Sequence, residues 1–187
     1  MSVRNHPDNK QNYGVIKMNK KKTVFIVQAA VIAAIYAALT YAAALAGLAY
    51  GSIQFRFSEA LTILACLTPA AIPGLTIGCF LGNITSPYGM VDIICGTLAT
   101  LIAAVCSYYT RKITVKGMPL VSAIFPVIAN AIIVGLEITF FMPEGFKFSA
   151  FLIAAAEVGA GELVMCYALG IPLFAALKKT GADRLLK

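Results

Sequence analysis

Charge is scarce in this sequence, and that scarcity excludes most soluble roles. Only 12% of the residues are charged, against 60% hydrophobic. A chain of this composition, with apolar runs as long as a bilayer is thick, reads as a membrane protein. No polar stretch is long enough to form a second, soluble domain with ATPase or kinase chemistry. Histidine is almost missing: His6, in a polar arm, is the single one. Metal binding and histidine-based catalysis are therefore poorly supplied. The cysteines, Cys66, Cys79, Cys95, Cys106 and Cys166, all fall inside apolar runs, and no pair has the spacing of a zinc ribbon or a redox motif. They read as small buried hydrophobes, and no metal is expected. Acids are outnumbered, 8 to 15, giving a net charge of +7. The basic residues flank apolar spans instead of interleaving with aromatics on one surface, so a nucleic-acid partner is not expected.

What the sequence does have is alanine at regular spacing. Residues 24–47, VFIVQAAVIAAIYAALTYAAALAG, carry no charge. At ~1.5 Å per residue they can cross a hydrocarbon layer of ~30 Å. Ala30, Ala34, Ala38, Ala42 and Ala46 form one row at every fourth position, and Ala29, Ala33 and Ala37 form a second. Small residues at this spacing let another helix approach closely, which is a main source of helix association in lipid. The rows read either as internal packing of a bundle or as a docking face for another membrane protein.

Six apolar spans are predicted, at residues 24–47, 59–68, 75–84, 90–109, 120–141 and 148 to just before Lys178. Ser58 is expected to cap the second span, with Glu59 in its first turn. Pro69 and Pro73 separate the short second and third spans, so these are two short helices or one broken passage. NITSPYG at residues 83–89 is a turn by composition. Gly170-Ile171-Pro172 is expected to kink the sixth span or split off its end. Residues 1–21 form a polar arm expected to be flexible, and residues 22–187 a single membrane domain. Met18, just before Lys20-Lys21-Lys22, reads as an alternative start. A cleaved signal peptide is not expected, because the apolar run is too long and no polar mature sequence follows a small-residue cleavage site. Thirteen of the 15 Lys and Arg fall at residues 1–22, 111–116 or 178–187, leaving Arg56 and Lys147. That asymmetry implies an all-α, six-helix membrane bundle with both termini inside.

Ionisable residues at membrane depth are costly and read as functional by default. Asp92, Glu137, Glu157 and Glu162 lie in apolar surroundings, Glu59 at a helix start, and Asn83 and Asn130 need partners of their own. Glu59 and Asp92 are expected at outer helix ends, with Glu137 and Glu157 roughly 7 and 13 Å below. Asn130 and Glu137, seven residues apart, share a helix face. Each has a plainer reading: Glu59 and Asp92 as complements to helix dipoles, Arg56 as the partner of Glu59, Glu162 as a neutral or paired bundle residue. Together, acids and amides with few cations suit a ligand rich in N–H donors, and Phe55, Phe57, Tyr88 and Phe146 could stack a planar ring.

These residues carry a resemblance. The chain resembles the queuosine-precursor transporter (QueT) family, within the substrate-binding S components of energy-coupling-factor transporters. The resemblance runs from about Lys22 to the C-terminus and rests on QFRFSEAL at residues 54–61, residues 69–74, Gly82-Asn83, SPYG at residues 86–89 with Asp92, and GTLAT at residues 96–100. Asn130, Gly135, Glu137, residues 159–162 and Cys166-Tyr167 complete it. It implies an S component in a prokaryotic plasma membrane that takes a 7-deazaguanine from outside. It also implies a transmembrane coupling subunit and two ATPases as partners, which use the ATP; the chain needs no cofactor of its own and has no catalytic residues. Ala29, Ala30, Ala33, Ala34, Ala37 and Ala38 match the docking motif of S components, and residues 49–57 the loop that gates the site. Substrate roles are expected for Glu59, Arg56, Asn83, Asp92, Asn130, Glu137, Glu157, Glu162, Tyr88 and Gln54. The competing readings are an S component for another vitamin, a proton-coupled carrier acting alone, and a membrane enzyme with paired carboxylates. Against the enzyme, no nucleophile–base pair or metal set is visible.

Overall fold

The computed structural model describes residues 8–49, 53–143 and 145–186. Residues 1–7, 50–52, 144 and 187 lie outside that range. Helix α1 spans Asp8–Leu45, so it begins within the stretch expected to be a flexible arm. A 3₁₀ segment follows at Phe57–Cys66. Then come α2 (Ala71–Asn83), α3 (Met90–Thr110), α4 (Ile124–Phe140) and α5 (Phe148–Leu163). Residues Val164–Gly170 wind as a π-helix that leads without a break into α6, Ile171–Thr180. A short 3₁₀ turn, Ala182–Leu186, ends the described chain. Three helical runs, Lys20–Leu45, Met90–Thr110 and Phe148–Thr180, are long and apolar enough to cross a membrane.

The layout is a sequential bundle: α1 packs on α2, α2 on α3, α3 on α4 and α4 on α5. The segment Phe57–Cys66 lies in the middle, against α1, α3, the π-helical turns and α6. Ser58 through Ala65 are all buried. Enclosed by helices, this segment is shielded from lipid, which is where less regular backbone is tolerated at membrane depth.

Several boundaries differ from expectation, each for a local reason. Ser58 does not cap its helix. The cap position is Arg56, and Ser58 faces α1, where its Oγ accepts a hydrogen bond from Thr40 Oγ1 at 2.8 Å. Helix α2 starts at Ala71, four residues before the expected Leu75, because Pro73 sits in the first turn, where its missing N–H costs nothing. Helix α4 starts at Ile124 and not Leu120, again with a proline, Pro126, in the first turn. The Gly170-Ile171-Pro172 sequence does not break the last span; Pro172 falls in the first turn of α6, after the π-helical turns.

The two alanine rows of α1 have different surroundings. Ala29, Ala33 and Ala37 are buried, whereas Ala30, Ala34 and Ala38 are exposed. The buried row meets glycines of the same chain at Gly74, Gly78 and Gly82, so as a docking face for a partner it is already occupied. A Cβ at Gly78 would stand 2.7 Å from Tyr36 Cβ and 2.9 Å from the Ala33 carbonyl oxygen. At Gly82 it would stand 2.9 Å from Thr40 Cβ. Gly78→Ala therefore forces α1 and α2 apart, and the expected cost is about 1–3 kcal/mol of overpacking. A thermal melt in detergent no lower than that of the parent would show that the helices do not depend on this contact.

Candidate functional site

The loop after α1 is fixed by one guanidinium. Arg56 is only 4% exposed. Its Nη2 donates to both Asp92 carboxylate oxygens at 3.3 and 3.4 Å, its Nη1 to Asn83 Oδ1 at 3.2 Å, and its Nε to the Ala49 carbonyl at 3.4 Å. Asn83 Nδ2 donates in turn to the Asp92 carbonyl oxygen at 3.1 Å. One cation thus joins the loop, the C-terminal end of α2 and the N-terminal end of α3. Gly96 leaves room for the Asn83 amide, which a Cβ there would strike. Gly161 does the same for the loop, whose Gln54 carbonyl lies against it. The expected partner of Arg56 was Glu59; the structure pairs it with Asp92.

A second cluster lies deeper. Glu59, on the central 3₁₀ segment, is 1% exposed. Its Oε1 accepts a hydrogen bond from the Tyr36 hydroxyl of α1. Cys166, in the π-helical turns, brings its Sγ within 3.8 Å of the Glu59 carbonyl oxygen and 3.9 Å of Glu162 Oε2. The winding of these turns directs Met165 and Cys166 inward.

Glu137 and Asn130 are both buried on α4, and Asn130 Nδ2 donates to the Pro126 carbonyl of its own helix at 3.1 Å. Glu137 borders a cavity of about 360 Å³ with Tyr88, Val91, Phe141 and Met142. Tyr88 is half exposed there. Phe146, expected as a possible stacking ring, packs on Phe140 with centroids 5.6 Å apart. Glu157 is half-buried on α5 and takes no part in these hydrogen bonds.

Charge is unbalanced across this interior. Arg56 is committed to Asp92, while Glu59, Glu137 and Glu162 all lie within its electrostatic reach. Four buried side-chain oxygens have no hydrogen-bond partner among the described residues: Glu59 Oε2, Glu137 Oε2, Thr97 Oγ1 and Thr100 Oγ1. Native interiors satisfy most such atoms, so a cluster of exceptions calls for an explanation. The two carboxylate oxygens, on the central segment and on α4, are acceptors without a donor, which suits a donor-rich molecule. Among the described residues no group of acids, histidines and cysteines could hold a metal.

Sequence reasoning missed Tyr36, Thr97, Thr100 and Cys166 as site residues. Tyr36 was the most visible, a phenol amid alanines; the threonines lay in the GTLAT motif without a role.

The model of the QueT transporter family matches residues 26–179. The chain belongs to the QueT transporter family. The description of that family is of a transporter. Its sequence is also 44% identical over 85 residues to the queuosine precursor transporter QueT of Lactococcus lactis subsp. cremoris strain MG1363. That alignment covers 46% of this chain and 50% of the relative, so the chain spans half the relative's length. No solved structure matches.

Proposed function

We propose that this protein is the substrate-binding subunit of an ATP-driven importer of the energy-coupling-factor type, and that its ligand is a 7-deazaguanine precursor of queuosine. The observation that carries the reading is the pair of buried, unpartnered carboxylate oxygens, Glu59 Oε2 and Glu137 Oε2. A guanine-like edge offers a ring N–H and an exocyclic amine, which one carboxylate accepts together. An aminomethyl substituent adds a cation for a second acid. Asn130, Thr97 and Thr100 supply further polar contacts, and Tyr88 a ring beside Glu137. The similarity to a queuosine precursor transporter supports this substrate class.

In the proposed topology six spans cross the plasma membrane of a prokaryote, with both termini inside. The distribution of Lys and Arg supports that orientation. The Glu137 cavity then lies toward the outer side. A transmembrane coupling subunit and two ATPases complete the importer, and they, not this chain, use ATP.

Equilibrium binding to the purified protein tests the substrate class. The panel comprises 7-cyano- and 7-aminomethyl-7-deazaguanine, queuine, guanine and riboflavin. One deazaguanine is expected to bind at least a hundredfold tighter than guanine. Tight binding of riboflavin instead would retain the architecture and overturn the substrate. The exposed row Ala30, Ala34 and Ala38 is the proposed docking face. Ala34→Leu with Ala38→Leu is expected to abolish co-purification with the coupling subunit and to leave ligand affinity within twofold. Intact assembly in the double variant would remove the row from the interface.

A further inference from the structure

At the end of the molecule away from the acidic cluster, a crevice of about 510 Å³ opens between the start of the apolar part of α1, the Thr68–Pro69 connection and the final 3₁₀ turn. Its rim is basic and its walls are apolar. Lys20 and Lys21 line the crevice together with the apolar side chains of Val24, Phe25, Leu67 and Leu186. The floor is closed by Gln28, whose Nε2 donates to the Leu185 carbonyl at 2.7 Å and whose Oε1 accepts from Thr68 Oγ1 at 3.2 Å. The polar groups of the floor are thus satisfied within the protein. The lysines are not: neither forms an ion pair among the described residues. The acid on the final turn, Asp183, is already held by Lys178 at 3.4 Å.

The crevice also has a defined depth. Lys20, Lys21 and Lys22 directly precede the uncharged residues 24–47, which are long enough to cross a membrane, so the mouth lies at the level of lipid headgroups and the apolar walls at the level of acyl chains. Two ammonium groups above an open apolar slot match a phosphodiester joined to hydrocarbon. A soluble anion would leave the walls uncovered, and a neutral lipid would leave the lysines uncompensated.

We infer that this crevice binds an anionic phospholipid, with the headgroup phosphate at Lys20 and Lys21 and an acyl chain along Val24, Phe25 and Leu67. The site is separate from the proposed substrate site and does not depend on that reading.

The chain contains no tryptophan, so Phe25→Trp installs a single fluorescent reporter in the slot. The full chain carrying this change is reconstituted in phosphatidylcholine vesicles and titrated with phosphatidylglycerol brominated near the glycerol end of its acyl chains. A lysine beside an anionic headgroup is worth about fivefold in affinity, so the pair is worth roughly twenty-fold. Quenching is expected at a roughly twenty-fold lower mole fraction of brominated phosphatidylglycerol than of brominated phosphatidylcholine. Lys20→Gln with Lys21→Gln removes that difference. Lys112→Gln with Lys116→Gln, an equal loss of charge in another basic cluster, retains it. Equal quenching by the two lipids, or an equal loss in the control variant, overturns the site. Relief of quenching by soluble glycerol phosphate overturns the lipid assignment in favour of a free anion.

Discussion

Glu59→Gln is expected to weaken binding of the preferred deazaguanine about 100-fold while leaving the bundle folded. The carboxylate has one oxygen held by Tyr36 and the other without a partner. A glutamine of the same shape keeps one acceptor, but it turns an NH₂ toward ligand donors. The loss of charge-assisted hydrogen bonds, worth ~1.5–3 kcal/mol each, corresponds to that factor. Tyr36→Phe provides the comparison. It removes the donor that orients Glu59 and leaves the charge, so a smaller loss is expected. Affinity from equilibrium dialysis and a melting curve for each variant decide the matter. Unchanged affinity in Glu59→Gln, with Glu137→Gln equally silent, would dissolve the proposed site.

Arg56→Met is expected to be the most destabilising single change among the residues described. It leaves Asp92 buried, charged and without its guanidinium, and it releases the Ala49 carbonyl and Asn83 Oδ1 as well. Breaking one half of a buried pair costs ~3–5 kcal/mol, whereas replacing both halves with apolar residues is often close to neutral. Arg56→Met with Asp92→Leu is therefore expected to recover most of the lost stability in a denaturation series. The double variant should still bind poorly, because the loop loses its anchor to α2 and α3. If Arg56→Met melted like the parent and lost only affinity, Arg56 would be a direct ligand contact and not a positioning residue.

The parts of this architecture that carry local signals were legible in the sequence. Helix α3 begins at Met90 as expected and ends one residue beyond Tyr109, because Gly89 at φ 68° and Arg111 mark its ends. Arg111 Nη1 donates to the Tyr108 carbonyl there at 2.8 Å. The central segment was not legible as a 3₁₀ helix. Nearly every residue of it is buried, so no exposed face imposes a period on its sequence. The alanine rows share one spacing, and sequence alone cannot say which row faces inward. Gly74, Gly78 and Gly82 decide it, at the same four-residue interval on the neighbouring helix. The acids were found because charge in an apolar run is conspicuous. Their pairings were not, because Arg56 had two acids within plausible reach, and only the fold brings Asp92 to it across 36 positions. Cys166 was overlooked for the opposite reason, being an ordinary residue for a buried helix until a carboxylate is placed beside it.

The central position of Phe57–Cys66 has a consequence for biogenesis. Its packing partners include Gly170, 3.2 Å from the Ala60 carbonyl by way of an added Cβ, and Cys166 beside Thr62. Those residues leave the ribosome about 100 positions later, an interval of roughly 5–20 s at ordinary elongation rates. During that time Ser58, Glu59 and Thr62 have only α1, α2 and α3 as cover, and one flank of a polar segment stands open. The interior is therefore complete only once Val164–Gly170 and α6 have been synthesised and packed against the central segment.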